Sequence, residues 1–98
     1  MTGRKIYENA LEQLSNSRAN MRCADLTNLL NKLGFEVRDG KRGGHKVFVH
    51  DGISGFYSDS YNCGHGKNPE IKPAYIRKIE RLLHQYKDEI VKHLEKGN

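Results

Sequence analysis

Tryptophan is missing from this chain, and only two prolines and two cysteines occur in its 98 residues. Cys23 and Cys63 lie far apart and form no Cys-x-x-Cys pair. A disulfide framework is therefore not expected, and reduced thiols are. Long apolar runs are missing too. No stretch approaches the roughly 20 apolar residues that cross a bilayer as a helix, and "MTGRKIYENALEQL" has no apolar core suited to a secretory signal. These absences lead to an expected cytoplasmic setting with no membrane partner. The hydrophobic fraction of 36% is low and the charged fraction of 30% fairly high, short of the imbalance that marks a disordered chain. Length allows one domain with a thin core.

What the chain does have is positive charge. Lysine and arginine number 17 against 12 acidic residues, a formal net charge of +5. Such a balance favours a polyanionic partner: nucleic acid, an anionic membrane surface or an acidic protein. Many small basic proteins share it, so charge alone selects no function.

Apolar periodicity organises the chain. Ile6, Ala10, Leu11 and Leu14 recur at helical spacing, and the polar "SNSRAN" follows. Residues 1–20 therefore read as an appended helix and loop, either packed on the domain or free as a partner-binding arm. The main domain is expected over residues 21–98. There Leu26, Leu29, Leu30 and Leu33 form a second helical stripe ending at Gly34. "FEVRD" alternates as a strand with Phe35 and Val37 inward, "HKVFVH" is its hairpin partner, and "ISGFYSDSY" is a weaker third strand. Pro73 opens the longest helix, expected to run unbroken through Ile76, Ile79, Leu83, Tyr86, Ile90 and Leu94 to Gly97. The sum is α+β: an extra N-terminal helix, then α-β-β-β-α with a three-stranded antiparallel sheet in a two-layer sandwich. Double-stranded-RNA-binding domains share this order of elements, which by itself says little about activity.

The stretch with most chemical content is "RDGKRGGHKVFVH". Gly43 and Gly44 permit positive φ or a close backbone approach to a ligand. Turn amides can meet a phosphate. Lys41, Arg42 and Lys46 would hold a phosphate backbone by charge. His45 sits where turn becomes strand and can exchange a proton near neutral pH. Together these groups suit RNA cleavage by internal transesterification, which needs a base, an acid and cations for the extra phosphate charge. The plainer reading is a glycine turn followed by a histidine without chemistry, as many β proteins have.

"DLTNLLNKLGFEVRDGKRGGHKVFVH", followed by "CGHGKNPEIKPAYIRKIERLL", resembles the HicA family of toxins. The family pattern is a leucine-rich helix ending in Gly-Phe or Gly-Trp, a strand, Gly-Ser-His at the second strand, a His-Gly loop and a Lys-Pro helix start. The resemblance implies a small ribonuclease, an mRNA interferase, with a double-stranded-RNA-binding-like fold, no cofactor and no metal, silenced by a HicB antitoxin. Gly43, Gly44 and His45 fall on Gly-Ser-His, with His45 on the catalytic histidine. His65-Gly66 falls on the loop and Lys72-Pro73 on the helix start. Expected RNA contacts are Lys41, Arg42, Gly43, Gly44, Lys46, His65 and Lys67. The similarity runs from about Met21 to about Leu83. Gly44 departs from the family serine, the first helix is unusual, and the last helix runs past the usual end.

The remaining histidines and cysteines carry weaker expectations. His50 is expected on the surface at a strand end, facing away from His45. His65, between two glycines, is expected exposed, as a second acid-base group, a phosphate contact or an ordinary loop residue. His84 and His93 are expected solvated or paired with Glu80 and Glu89 along the helix. Collecting His45, His50, Cys63 and His65 into a zinc site would need Cys-x-His, which is not a usual structural spacing. Besides a ribonuclease, two readings stay open: an RNA-binding module that does not cut, and a protein-interaction domain.

Overall fold

The first two apolar stripes in the sequence each become one buried helix face. In the computed structural model, which describes residues 2–96, α1 spans Gly3–Asn16 and buries Tyr7, Ala10 and Leu14. Thr2 caps it, its Oγ1 accepting the Lys5 N–H at 3.1 Å. α2 spans Cys23–Lys32 and buries Leu26, Leu29 and Leu30. Gly34, at φ +94°, ends it in the left-handed conformation that glycine adopts without strain.

Three strands follow: β1 Glu36–Asp39, β2 His45–Val49 and β3 Asp59–Asn62. They pair antiparallel in the order β1-β2-β3. The third strand is shorter and begins later than "ISGFYSDSY" suggests. Ile53 is buried, but Gly55 takes φ +85° and Phe56 donates its N–H back to the Ile53 carbonyl. Phe56 joins the rings of Phe35, Phe48 and Tyr86 instead of extending a strand.

The last helix is two helices. α3 spans Pro73–Gln85 and α4 spans Lys87–Lys96, with Tyr86 between them at φ −107°, ψ 21°. Asp88 and Glu89 fall in the first turn of α4, where its dipole favours them. The bend lets Ile90 enter the core and lays α4 along α1, close enough that a Cβ on Gly3 would stand 2.9 Å from the Glu95 nitrogen. Gly97, the expected helix end, lies outside the described residues.

The first helix is packed on the domain. Tyr7, Ala10 and Leu14 join the same buried cluster as Leu26, Phe48, Ile79 and Ile90. The Tyr7 hydroxyl donates to the Leu83 carbonyl at 2.7 Å, and burial, with Asp88 nearby, pushes its pKa up to about 12. Arg18, just past α1, clamps Glu80 of α3 through Nε at 2.7 Å and a second nitrogen at 2.9 Å. The Arg18 hydrogen bond holds the Glu80 carboxyl below its ordinary range, with His84 and Arg77 adding to the fall and burial opposing it.

His50 is buried, contrary to the surface position expected. Its Nε2 is 2.9 Å from the Leu33 carbonyl, and its Nδ1 accepts the Gly52 N–H at 3.0 Å. An acceptor Nδ1 and a carbonyl at Nε2 together select the neutral Nε2–H tautomer. His93 of α4 stands edge-on to it at 4.6 Å rather than reaching only for Glu89. Strand alternation does put His50 on the side away from His45, but that side is the core.

Cys23 and Cys63 are bridged, with Cα atoms 5.4 Å apart, against the expected free thiols. Their separation of 40 residues hid a proximity that exists only after folding. The fold sets the start of α2 beside the end of β3. A reducing cytoplasm would keep such thiols apart, so the bridged form belongs to oxidising conditions.

Two measurements follow. Reducing the bridge should cost about 2–4 kcal/mol and lower the melting temperature by on the order of 10 °C or more, and unchanged melting in reductant would show that the bridge carries no stability. Burial lowers the His50 pKa from its ordinary 6.5, with the Leu33 carbonyl, Asp51 and Glu89 opposing and His93 adding to the fall. The unfolded chain therefore takes this proton more readily than the folded one. The contribution is complete above about 6.5 and is lost as pH falls below it. Melting scans of parent and His50→Gln between pH 7.5 and 5.5 should show a steeper loss in the parent.

Candidate functional site

The hairpin turn between β1 and β2 is set by two glycine positions with different reasons. The His45 N–H donates to the Arg42 carbonyl at 3.1 Å, closing a turn over Arg42, Gly43, Gly44 and His45. Gly44 is its third residue, at φ +81°, the position that needs positive φ in a type II turn. Gly44 also lies against the β3–α3 loop. The Cys63 N–H donates to its carbonyl at 2.7 Å, and a Cβ on Gly44 would fall 2.3 Å from the Gly64 carbonyl oxygen. The serine of the Gly-Ser-His pattern cannot be placed here without moving one of the two loops. Gly43 faces open space, with nothing within 4 Å of a Cβ built on it. Among the described residues neither Gly43 nor Gly44 donates its N–H to a backbone or side-chain acceptor, so both amides remain available to an anion.

His45 is part-buried on the sheet face opposite the core, sharing that face with Val47 and Val49. Its cross-strand partner in β3 is Asn62. The imidazole lies directly over Gly40, where a Cβ would come within 2.1 Å of the ring Cδ2. The Gly40 N–H donates to the His45 carbonyl at 2.8 Å. The glycine that opens the turn therefore sets the place of the ring that ends it.

The expected cations divide. Lys41 and Arg42 are exposed on the turn, and Lys67 and His65 are exposed on the loop beside it. Lys46 departs from expectation. It pairs in register with Tyr61, a core residue, so alternation points it to the helix side, away from His45. Its ammonium is held by Asp39. Two adjacent strand residues cannot both project toward one bound phosphate.

The β3–α3 loop is fastened to α2 as well as to the turn. Besides the Cys23–Cys63 bridge, the Cys23 N–H donates to the Pro69 carbonyl at 2.9 Å, the Ala24 N–H to Asn68 Oδ1 at 3.0 Å, and the Arg22 guanidinium to the Asn68 carbonyl at 3.0 Å. Between this loop, the turn and the start of α3 lies a cavity of about 250 Å³, lined in part by Gly43, Asn62, His65, Glu70, Lys72 and Tyr75. Sequence reading missed Gly40, Asn62, Glu70 and Tyr75. Gly40 carries no signal in sequence beyond being a glycine near the turn, and the others carry none until the loop folds over them. Among the described residues no group of three histidine, cysteine or acidic side chains could hold a metal ion, and His45 and His50 lie on opposite sides of the sheet. Among the described residues no helix is long and apolar enough to cross a membrane.

Comparison with known proteins finds no matching family model, no matching curated protein and no matching solved structure.

Gly44→Ser, which would restore the pattern's serine, should destabilise the fold by roughly 1–3 kcal/mol from positive φ and the clash with Gly64. Gly43→Ala should leave the melting temperature within error. Equal melting of the two variants would mean that the turn and loop yield more easily than the geometry states.

Proposed function

We propose that this chain is a HicA-like mRNA interferase, a ribonuclease of the toxin–antitoxin kind on a double-stranded-RNA-binding-like fold. The observation that carries the reading is the placement of His45: an imidazole on an open sheet face, lodged over Gly40, beside a turn whose Gly43 and Gly44 amides and Lys41 and Arg42 side chains have no partner among the described residues. The element order α2-β1-β2-β3-α3 agrees with that fold.

The chemistry follows from these groups. His45 takes the proton of the RNA 2′-hydroxyl, whose oxygen attacks the adjacent phosphorus. The bond from phosphorus to the 5′-oxygen breaks, and that oxygen leaves with a proton. The product pair is a 2′,3′-cyclic phosphate and a free 5′-hydroxyl. The Gly43 and Gly44 amides, with Lys41 and Arg42, stabilise the charge that builds on the phosphate oxygens. His65, on the loop bonded to Gly44 through Cys63, is the group proposed as the acid. Lys46 is left out of this scheme because Asp39 holds it on the other side. Positioned proton transfer contributes roughly 10²–10⁴-fold.

A nuclease of this kind needs a silencing partner, and a HicB-like antitoxin is proposed for it. Its carboxylates would cover Lys41, Arg42 and His45, speeding association in low salt. Val47 and Val49 supply apolar surface on the same face. Ile6 and Leu11 of α1 are less suited, since both are part-buried against the core.

His45→Ala should abolish cleavage of RNA while melting like the parent, and cleavage should persist in excess chelator. Gly40→Ala should lower cleavage at least tenfold by displacing the ring, by analogy with the cost of losing a positioned proton-transfer group. Product analysis should find the cyclic phosphate. Cleavage at the parental rate by folded His45→Ala protein would remove His45 from the mechanism. RNA binding without any cleavage by the parent would instead make the chain an RNA-binding module.

A further inference from the structure

The cavity beside the turn contains a group that phosphate binding does not explain. Glu70 lines it, exposed, at the end of a loop otherwise cationic in Lys67 and Lys72. Among the described residues no side chain pairs with its carboxylate. A bare carboxylate repels a phosphate backbone, so in a pure phosphate cradle it would weaken binding. It makes sense if it faces N–H donors.

The other lining groups complete such a site. Asn62 Oδ1 accepts the Gly64 N–H at 2.7 Å, which turns its amide nitrogen into the group left to donate. Tyr75 is part-buried with the Lys78 ammonium 5.4 Å from its ring centroid, so the ring is held in place while also lining the cavity. An aromatic surface, an acceptor pair and an amide donor around about 250 Å³, with Lys72 and His65 also on the lining, suit a flat heteroaromatic ring carried on a phosphate backbone. Single-stranded RNA offers its bases for stacking and for hydrogen bonding on the Watson–Crick edge.

We propose that this cavity is a subsite for a guanine base of single-stranded RNA, with Glu70 accepting from guanine N1–H and N2–H, Asn62 donating to O6, and Tyr75 stacking on the ring. Guanine is the base whose edge presents two adjacent donors beside one acceptor. Adenine and cytosine would each set a ring-nitrogen lone pair against the Glu70 carboxylate, and uracil brings one donor between two acceptors. A site built for hydrogen-bonding groups rejects analogues lacking them, because its own polar atoms are left unpaired. Asn62 is also the cross-strand neighbour of His45, so a base held here sets the nucleotide next to the one presented to the imidazole. The inference rests on the ribonuclease reading for its substrate and names where cleavage falls.

The test uses full-length His45→Ala protein and fluorescently labelled uridine-rich single-stranded oligonucleotides carrying one guanosine, inosine or adenosine, read by anisotropy. Guanosine should bind about tenfold or more tighter than adenosine, with inosine, which lacks the N2 amino group, between them. Adding Glu70→Gln should erase the preference while leaving melting unchanged, and adding Tyr75→Leu should weaken all three alike. Equal affinity for the three oligonucleotides, or an undiminished preference in the folded Glu70→Gln protein, overturns the subsite. Parent protein that cuts RNA with no preference for guanine also overturns it and leaves the ribonuclease reading standing. Guanine-selective binding through Glu70 with no cleavage does the reverse.

Discussion

The hydrogen bond from the Cys63 N–H to the Gly44 carbonyl, 2.7 Å long, is the constraint on which the candidate site depends. On one side of it is a turn whose geometry places His45. On the other is a loop tied to α2 by the Cys23–Cys63 bridge and by the bonds of Arg22, Cys23 and Ala24 to Asn68 and Pro69. Each half alone would be a flexible glycine-rich segment with high conformational entropy. Joined, they wall a cavity between turn, loop and α3, while the imidazole of His45 lies over Gly40. Gly44 has to be glycine for both halves at once, since it takes φ +81° and a Cβ there would meet the Gly64 carbonyl.

Much of the fold was legible because apolar periodicity is a local property. The stripes of Leu26, Leu29, Leu30 and Leu33, and of Ile76, Ile79 and Leu83, point to their helices directly, and Gly34 and Pro73 mark ends. The turn could be read too, since glycine and charge cluster there in sequence. Three of the misreadings share one cause: each depended on a partner distant in the chain. Cys23 meets Cys63, His50 meets Leu33 and His93, and Phe56 leaves a strand for an aromatic cluster. At Tyr86 the helical pattern continues across a real break, because stripe residues on either side of a bend can both be buried. Lys46 was misplaced for a simpler reason. Proximity in sequence was taken for proximity in space, although a strand sends neighbouring side chains to opposite faces.

Two ionisable groups of the interior are held by geometry. Glu80 keeps its charge because Arg18 reaches it in a two-pronged clamp, and burial favours the neutral form of His50, whose Nδ1 already accepts the Gly52 N–H. Both lie away from the turn. They bind the first helix to α3 and the end of β2 to α2, so they support the scaffold without entering the proposed chemistry.

The pairing of α1 with α4 has a consequence for the order in which the molecule is assembled. Residues 3–16 are synthesised well before residues 87–96, yet the apolar face of α1 is covered by α3 and α4. During translation that face has no cover until the later helices have left the ribosome. Native pairings between elements so distant in the chain slow folding, because the loop between them must close first. A nascent α1 is therefore an exposed amphipathic segment for as long as synthesis continues, and the finished fold is reached only after the message has been read through to α4.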